Sequence, residues 1–192
     1  VIMTLWCISG FVMMYKGFPE TSQAERLAGL APLDLAACCA ELPIEPDASA
    51  GGIRIEMLNG DTVLRLGREA AYSLKSGMPV NVLDEAGARG VAESFASGNG
   101  IAGEIAKIEL IRDDQWAVSG ARQQPLYRAE FSDADNTLVY VNGTSGEVVQ
   151  DANSGERFIA WLGAIPHWLY PALLRTNQPL WFGTVVWLSA IG

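Results

Sequence analysis

The chain has 192 residues, a formal net charge of −9 and a pI near 4.5. That balance argues against nucleic-acid binding, because phosphate recognition needs clustered Lys and Arg and no basic stripe occurs. The length allows one ordinary domain or two small modules, with apolar residues concentrated at the two ends and charges in the middle.

The run VIMTLWCISGFVMMY at 1–15 carries no charge. It is shorter than the ~20 residues that cross a bilayer. Trp6, Tyr15 and Lys16 are interface-anchoring types, and the chain opens on Val1. These features predict the end of a transmembrane helix over 1–16, in a fragment of a longer protein. A signal peptide is the rival reading, but Tyr15-Lys16-Gly17-Phe18-Pro19 is a poor small-x-small cleavage site.

Residues 20–42 read as helical. Ser22 and Glu25 have capping-box spacing, and Pro32 divides the region into helices over 22–30 and 33–42. Residues 43–52, rich in Pro, Ala and Gly, form a loop. Ile53, Ile55 and Met57 then alternate with Arg54 and Glu56. Asn59-Gly60 turns this strand into a hairpin, with a return strand from Val63 to Leu66 and a third strand over 79–84. A helix follows over 86–97, capped by Asp84. Strands are expected over 105–112, 116–119, 126–131, 137–141 and 147–149, with turns at Asp113-Asp114, 132–136 and 142–146.

Residues 158–175 contain Pro166, Pro171, Trp161, Trp168 and Tyr170 but only one charge, Arg175. This predicts a kinked aromatic segment at a membrane surface. Pro179 opens a last apolar run over 179–192, read as the start of a second transmembrane helix.

The strand–turn patterns around Leu64-Arg65-Leu66 and Tyr127-Arg128-Ala129 repeat weakly. The predicted fold is therefore α+β, with a helix packed on an antiparallel sheet in each of two tandem modules, 20–84 and 85–155, flanked by truncated transmembrane helices.

Pro125-Leu126-Tyr127-Arg128, Val139-Tyr140-Val141 and Thr144-Ser145-Gly146-Glu147-Val148-Val149 resemble the end of a PepSY domain. Residues 9–15, Glu156-Arg157 and 161–170 are similar to the membrane-flanking parts of PepSY-associated transmembrane proteins. Asn142-Gly143 and Ser145 depart from the usual pattern but keep its turn chemistry. The resemblance implies a bacterial inner-membrane protein whose central PepSY-like modules are periplasmic. It also implies a peptide or redox partner there. Some relatives resemble ferric-siderophore reductases, so a membrane oxidoreductase role is one implication. A peptide-binding or peptidase-regulating module, by strand addition at exposed edges, and a structural periplasmic spacer are the others.

His167 is the single histidine. One histidine cannot build a structural zinc site, but it can supply one axial ligand to haem b. Through the resemblance, His167 is the candidate cofactor residue; otherwise it anchors the aromatic segment. No catalytic residue and no metal site is predicted. Gly98-Asn99-Gly100-Ile101-Ala102-Gly103 matches a dinucleotide motif literally but follows a helix instead of a strand, so it reads as a helix end. Asp113, Asp114, Asp133 and Asp135 fall at turns that favour Asp locally. Cys7, Cys38 and Cys39 are expected to be free packed thiols.

Overall fold

The structure is a computed structural model describing residues 2–36, 38–42, 52–67, 70–117 and 125–191. Its elements are α1 (Ile2–Met13), α2 (Gln23–Ala28), β1 (Ile53–Leu58), β2 (Asp61–Leu66), β3 (Ala70–Ser73), α3 (Glu85–Asn99), β4 (Ile105–Ile111), β5 (Leu126–Phe131), β6 (Leu138–Asn142), β7 (Val148–Ala152), α4 (Ser154–Leu162), α5 (Ala164–Trp168), α6 (Ala172–Arg175) and α7 (Gln178–Ile191). The fold is α+β, with two antiparallel sheets ordered β1-β2-β3 and β4-β5-β6-β7.

Asn59 and Gly60, both at positive φ, close the first hairpin. Its register sets Arg54 opposite Arg65 and Ile55 opposite Leu64. The third strand is Ala70–Ser73, not 79–84 as expected. From the expected segment Pro79 forms an isolated bridge with Tyr72, flanked by hydrogen bonds from Val80 N to Ala71 O and from Ser73 N to Met78 O, and the pairing does not extend into a ladder.

The main core lies between α3 and the second sheet. Ala88, Ala92, Phe95 and Ala96 pack on Ala129, Phe131, Val139, Val141 and Val148. Small alanines let the helix sit close, and each fully buried Val or Phe contributes roughly 1.5–3 kcal/mol. The opposite sheet face buries Leu126, Tyr140 and Ala117. Asp84 caps α3, and Gly100, in the left-handed region, ends it. The Gly-rich stretch is thus a helix terminus, as its sequence context implied.

Helix α2 docks on α3, where the sequence reading had placed a helix on each sheet. A Cβ on Gly98 would lie 1.8 Å from the Ala28 carbonyl oxygen, and one on Gly29 would lie 2.9 Å from Phe95 Cα. Ser94 Oγ donates to Gly29 O, and Asn99 Nδ2 donates to Glu25 O. The helix expected over 33–42 does not form in its described residues. Instead Asp34 turns onto the first sheet, its carbonyl accepting from Thr62 Oγ1. Cys38 and Cys39 are joined, and Cys7 is free and exposed, where three free thiols were expected. Trp116 and Ala117 are not in a strand; the rest of the strand expected over 116–119 lies outside the described residues.

The expected transmembrane helices are overturned. Helices α1 and α7 have 12 and 14 residues, about 18 and 21 Å at ~1.5 Å per residue. An apolar bilayer core is ~30 Å thick. Among the described residues no helix is long and apolar enough to cross a membrane. This corrects the spans at 1–16 and 179–192, and with them the membrane partner, the inner-membrane location with a periplasmic centre, and the membrane-protein function carrying haem-based electron transfer.

Helix α1 packs inside this structure. Ser9 is buried, and Gly163 approaches Val12 so closely that a Cβ there would meet Val12 Cγ1 at 3.0 Å. The stretch 158–175, expected as one kinked segment, is the end of α4 followed by α5 and α6. Asn153 and Glu156 form a capping box that starts α4.

Candidate functional site

Two concave sites stand out. The first is a groove of about 510 Å³ alongside β1. One wall is β1 itself. The other is α2, the turn after it and α3, with Leu27, Leu30, Val91 and Phe95 contributing apolar surface. Strand β1 has one ladder neighbour, β2, and among the described residues no backbone group pairs with its outer edge. Ile53 and Ile55 are about half exposed.

The end of the groove is polar. Arg65, buried at 2% exposure, pairs with Glu56 and donates to Ser145 O. Arg54 pairs with Glu147. Burial opposes the Arg54 charge, but Glu147 and then Glu56 outweigh it and raise the pKa above the ordinary value. These pairs hold the first sheet against the β6–β7 turn. Gly146, at positive φ, brings that turn against Leu58. The groove sets backbone donors and acceptors on one side against apolar side chains on the other.

The second site holds His167. A cleft of about 820 Å³ is walled by α1, α5 and α7, with Trp6, Phe18, Trp168, Tyr170 and Trp181 among its lining. Phe18 contacts Trp116, Trp168 and Tyr170 at centroid distances of 6.1, 6.5 and 6.3 Å. These rings fasten the short helices to the loop over the second sheet. His167 Nδ1 lies 3.1 Å from Trp6 O and 3.3 Å from Ser9 Oγ. Trp6 Nε1 donates to His167 O. Gly10 faces the imidazole so closely that a Cβ there would come within 2.9 Å of Cε1. His167 is therefore the joint between α5 and α1.

This geometry limits the cofactor expectation. Nδ1 is committed to α1, so Nε2 is the atom through which His167 would hold a haem. No second histidine exists in the chain, and the described residues hold no group of three or more His, Cys, Asp or Glu suited to a metal ion. Haem at His167 stays a proposal that the visible spectrum of the purified protein tests.

The turn aspartates are structural. Asp133 accepts from Thr137 N and Oγ1. Asp114 accepts from Arg128 Nη1 at 2.6 Å and from the Tyr140 hydroxyl at 3.0 Å. Burial, followed by Asp114, pushes the Tyr140 phenol well up. The sequence reading missed the β1 groove. Its one signal was Ile53-x-Ile55-x-Met57, an apolar alternation on a strand whose outer neighbour no pattern supplied.

Compared with known protein families, with curated proteins and with solved structures, the chain gives no match.

Proposed function

We propose that this chain is a non-catalytic binding module whose β1 groove receives an extended polypeptide segment as an added strand. The observation that carries the reading is the outer edge of β1, unpaired among the described residues, beside the apolar surface of α2 and α3. An added strand satisfies backbone groups in a ladder, while its alternate side chains enter the groove. The likeness to PepSY domains belongs to the same proposal.

The test is a heptapeptide selected from a displayed random library and then titrated into the protein. Ile55→Lys and Leu27→Glu alter exposed groove positions and should weaken binding at least about tenfold, roughly 1.4 kcal/mol, without loss of folding. N-methylation of alternate peptide nitrogens should abolish binding on one register only. Equal binding to wild type and both variants would sink the reading, as would failure of any peptide to bind.

A further inference from the structure

The aromatic cleft carries an inference independent of the β1 groove. We infer that it binds a flat, uncharged apolar molecule bearing one hydroxyl, which donates a hydrogen bond to Nε2 of His167.

The size and lining come first. A cleft of about 820 Å³ lies within the roughly 300–1,000 Å³ range of small-molecule sites. Its walls are almost wholly apolar, and Trp6, Trp168 and Trp181 offer ring surface for a planar ligand. Among the described residues no Lys, Arg, Asp or Glu lines it, which disfavours an ionised ligand.

The polar groups then narrow the class. Trp6 Nε1 is spent on His167 O, and Trp181 Nε1 on Leu169 O at 3.0 Å. Ser189 Oγ donates to Val185 O within its own helix. The carbonyl of Trp6 can only accept, so Nδ1 of His167, 3.1 Å away, is the donor. In the neutral ring that leaves the lone pair on Nε2, which has no partner among the described residues. The cleft therefore offers ring faces and the Nε2 acceptor, with Trp168 and Tyr170, which carry an indole N–H and a hydroxyl, also in its lining. A ligand hydroxyl is the complementary donor.

The test uses calorimetric titration of the whole chain with 1-naphthol and with 1-methoxynaphthalene, which has the same ring system without the donor. Naphthol should bind about tenfold more tightly. His167→Asn keeps an N–H near the Nδ1 position, preserving the α1 joint, but has no atom at Nε2. It should leave methoxynaphthalene binding unchanged and remove the naphthol preference. Leu188→Trp, on the α7 wall of the cleft, should block both probes. It provides a second check if His167→Asn misfolds. Equal wild-type affinities, no binding of either probe, or undiminished binding to Leu188→Trp would each overturn the inference. So would a visible haem spectrum of the purified protein that is lost in His167→Asn, because the Nε2 lone pair would then belong to iron.

Discussion

The two sheets are made from similar hairpins but finished differently. The second sheet is covered on both faces, by α3 on one side and by the Trp116–Ala117 loop on the other. Tyr140, Val139, Val141, Leu126 and Ala129 are sealed from solvent. The first sheet buries Val63 and Leu64 but leaves Ile53 and Ile55 about half exposed. The difference separates tasks: the second sheet holds the fold, and the first presents an edge. Local stability should follow that division, since exposed backbone and sparse apolar packing favour local opening.

The sharpest way to break this comparison is at Tyr140. Tyr140→Ala removes a fully buried ring and leaves Asp114 with one partner fewer. It should cost about 3–5 kcal/mol, measured by urea denaturation. A loss below about 1 kcal/mol would mean that the second sheet is not the stabilising half.

A smaller effect is expected at the α2–α3 contact. Gly98→Ala puts a Cβ into the Ala28 carbonyl, and overpacking of this kind costs about 1–3 kcal/mol. Because α2 walls the groove, this variant should also weaken peptide binding, which the same library peptide measures.

Hydrogen exchange sharpens the contrast without mutation. Amides of β5 and β6 should exchange only through global opening, and those of β1 orders of magnitude faster. The bound heptapeptide should slow exchange in β1 and leave β5 and β6 unchanged.

The smallest effect is at Asp151, where the chain between α1 and α2 is fastened to β7. Burial raises its carboxyl pKa above the ordinary range. The Thr21 hydrogen bond opposes this, while Glu25 and Glu156 add to it. The folded state then keeps a proton that the unfolded chain has released. Stability therefore falls as pH rises from about 3.8, the ordinary value, through the raised folded pKa, and stays reduced above it. Asp151→Asn should raise Tm at pH 7 and lose that gain below about pH 3.8. A drop in Tm at pH 7 would show that the carboxylate is favoured as a partner of Thr21.

Much of the fold was legible where local chemistry decides the outcome. Asn59-Gly60 marked the first hairpin, Asp84 the start of α3, and Ser22 with Glu25 the start of α2, all as found. Leu126–Phe131 was read at its observed boundaries. The failures came where tertiary contacts decide. Strand β3 is a short Ala-Ala-Tyr-Ser run without alternation, formed because β2 offers it a partner. Apolar density at the ends suggested bilayer spans, but periodicity cannot separate a membrane helix from one docked through Ser9, Gly10 and Gly163. His167 was singled out as the single histidine, in an aromatic setting. Its neighbours lie more than 150 positions away, so its joint with α1 could not be read from the chain.

The open margin of β1 has a consequence for the protein's behaviour in a crowded cell. The other sheet margins carry features that discourage intermolecular pairing. Strand β4 has an irregularity between Ile105 and Lys107 and an exposed lysine. Strand β3 is short and meets Pro79. Strand β7 is strapped by Gln150 to Pro19 O and by Arg26 to Val149 O. Strand β1 carries one half-exposed charge, Arg54, but that charge is drawn into the pair with Glu147, and Ile53 and Ile55 stay about half exposed along the strand. On the proposed reading, an unfilled groove would be the molecule's own template for aggregation, and a bound segment would act on it as a chaperone does, keeping copies apart by occupying the place where they would join.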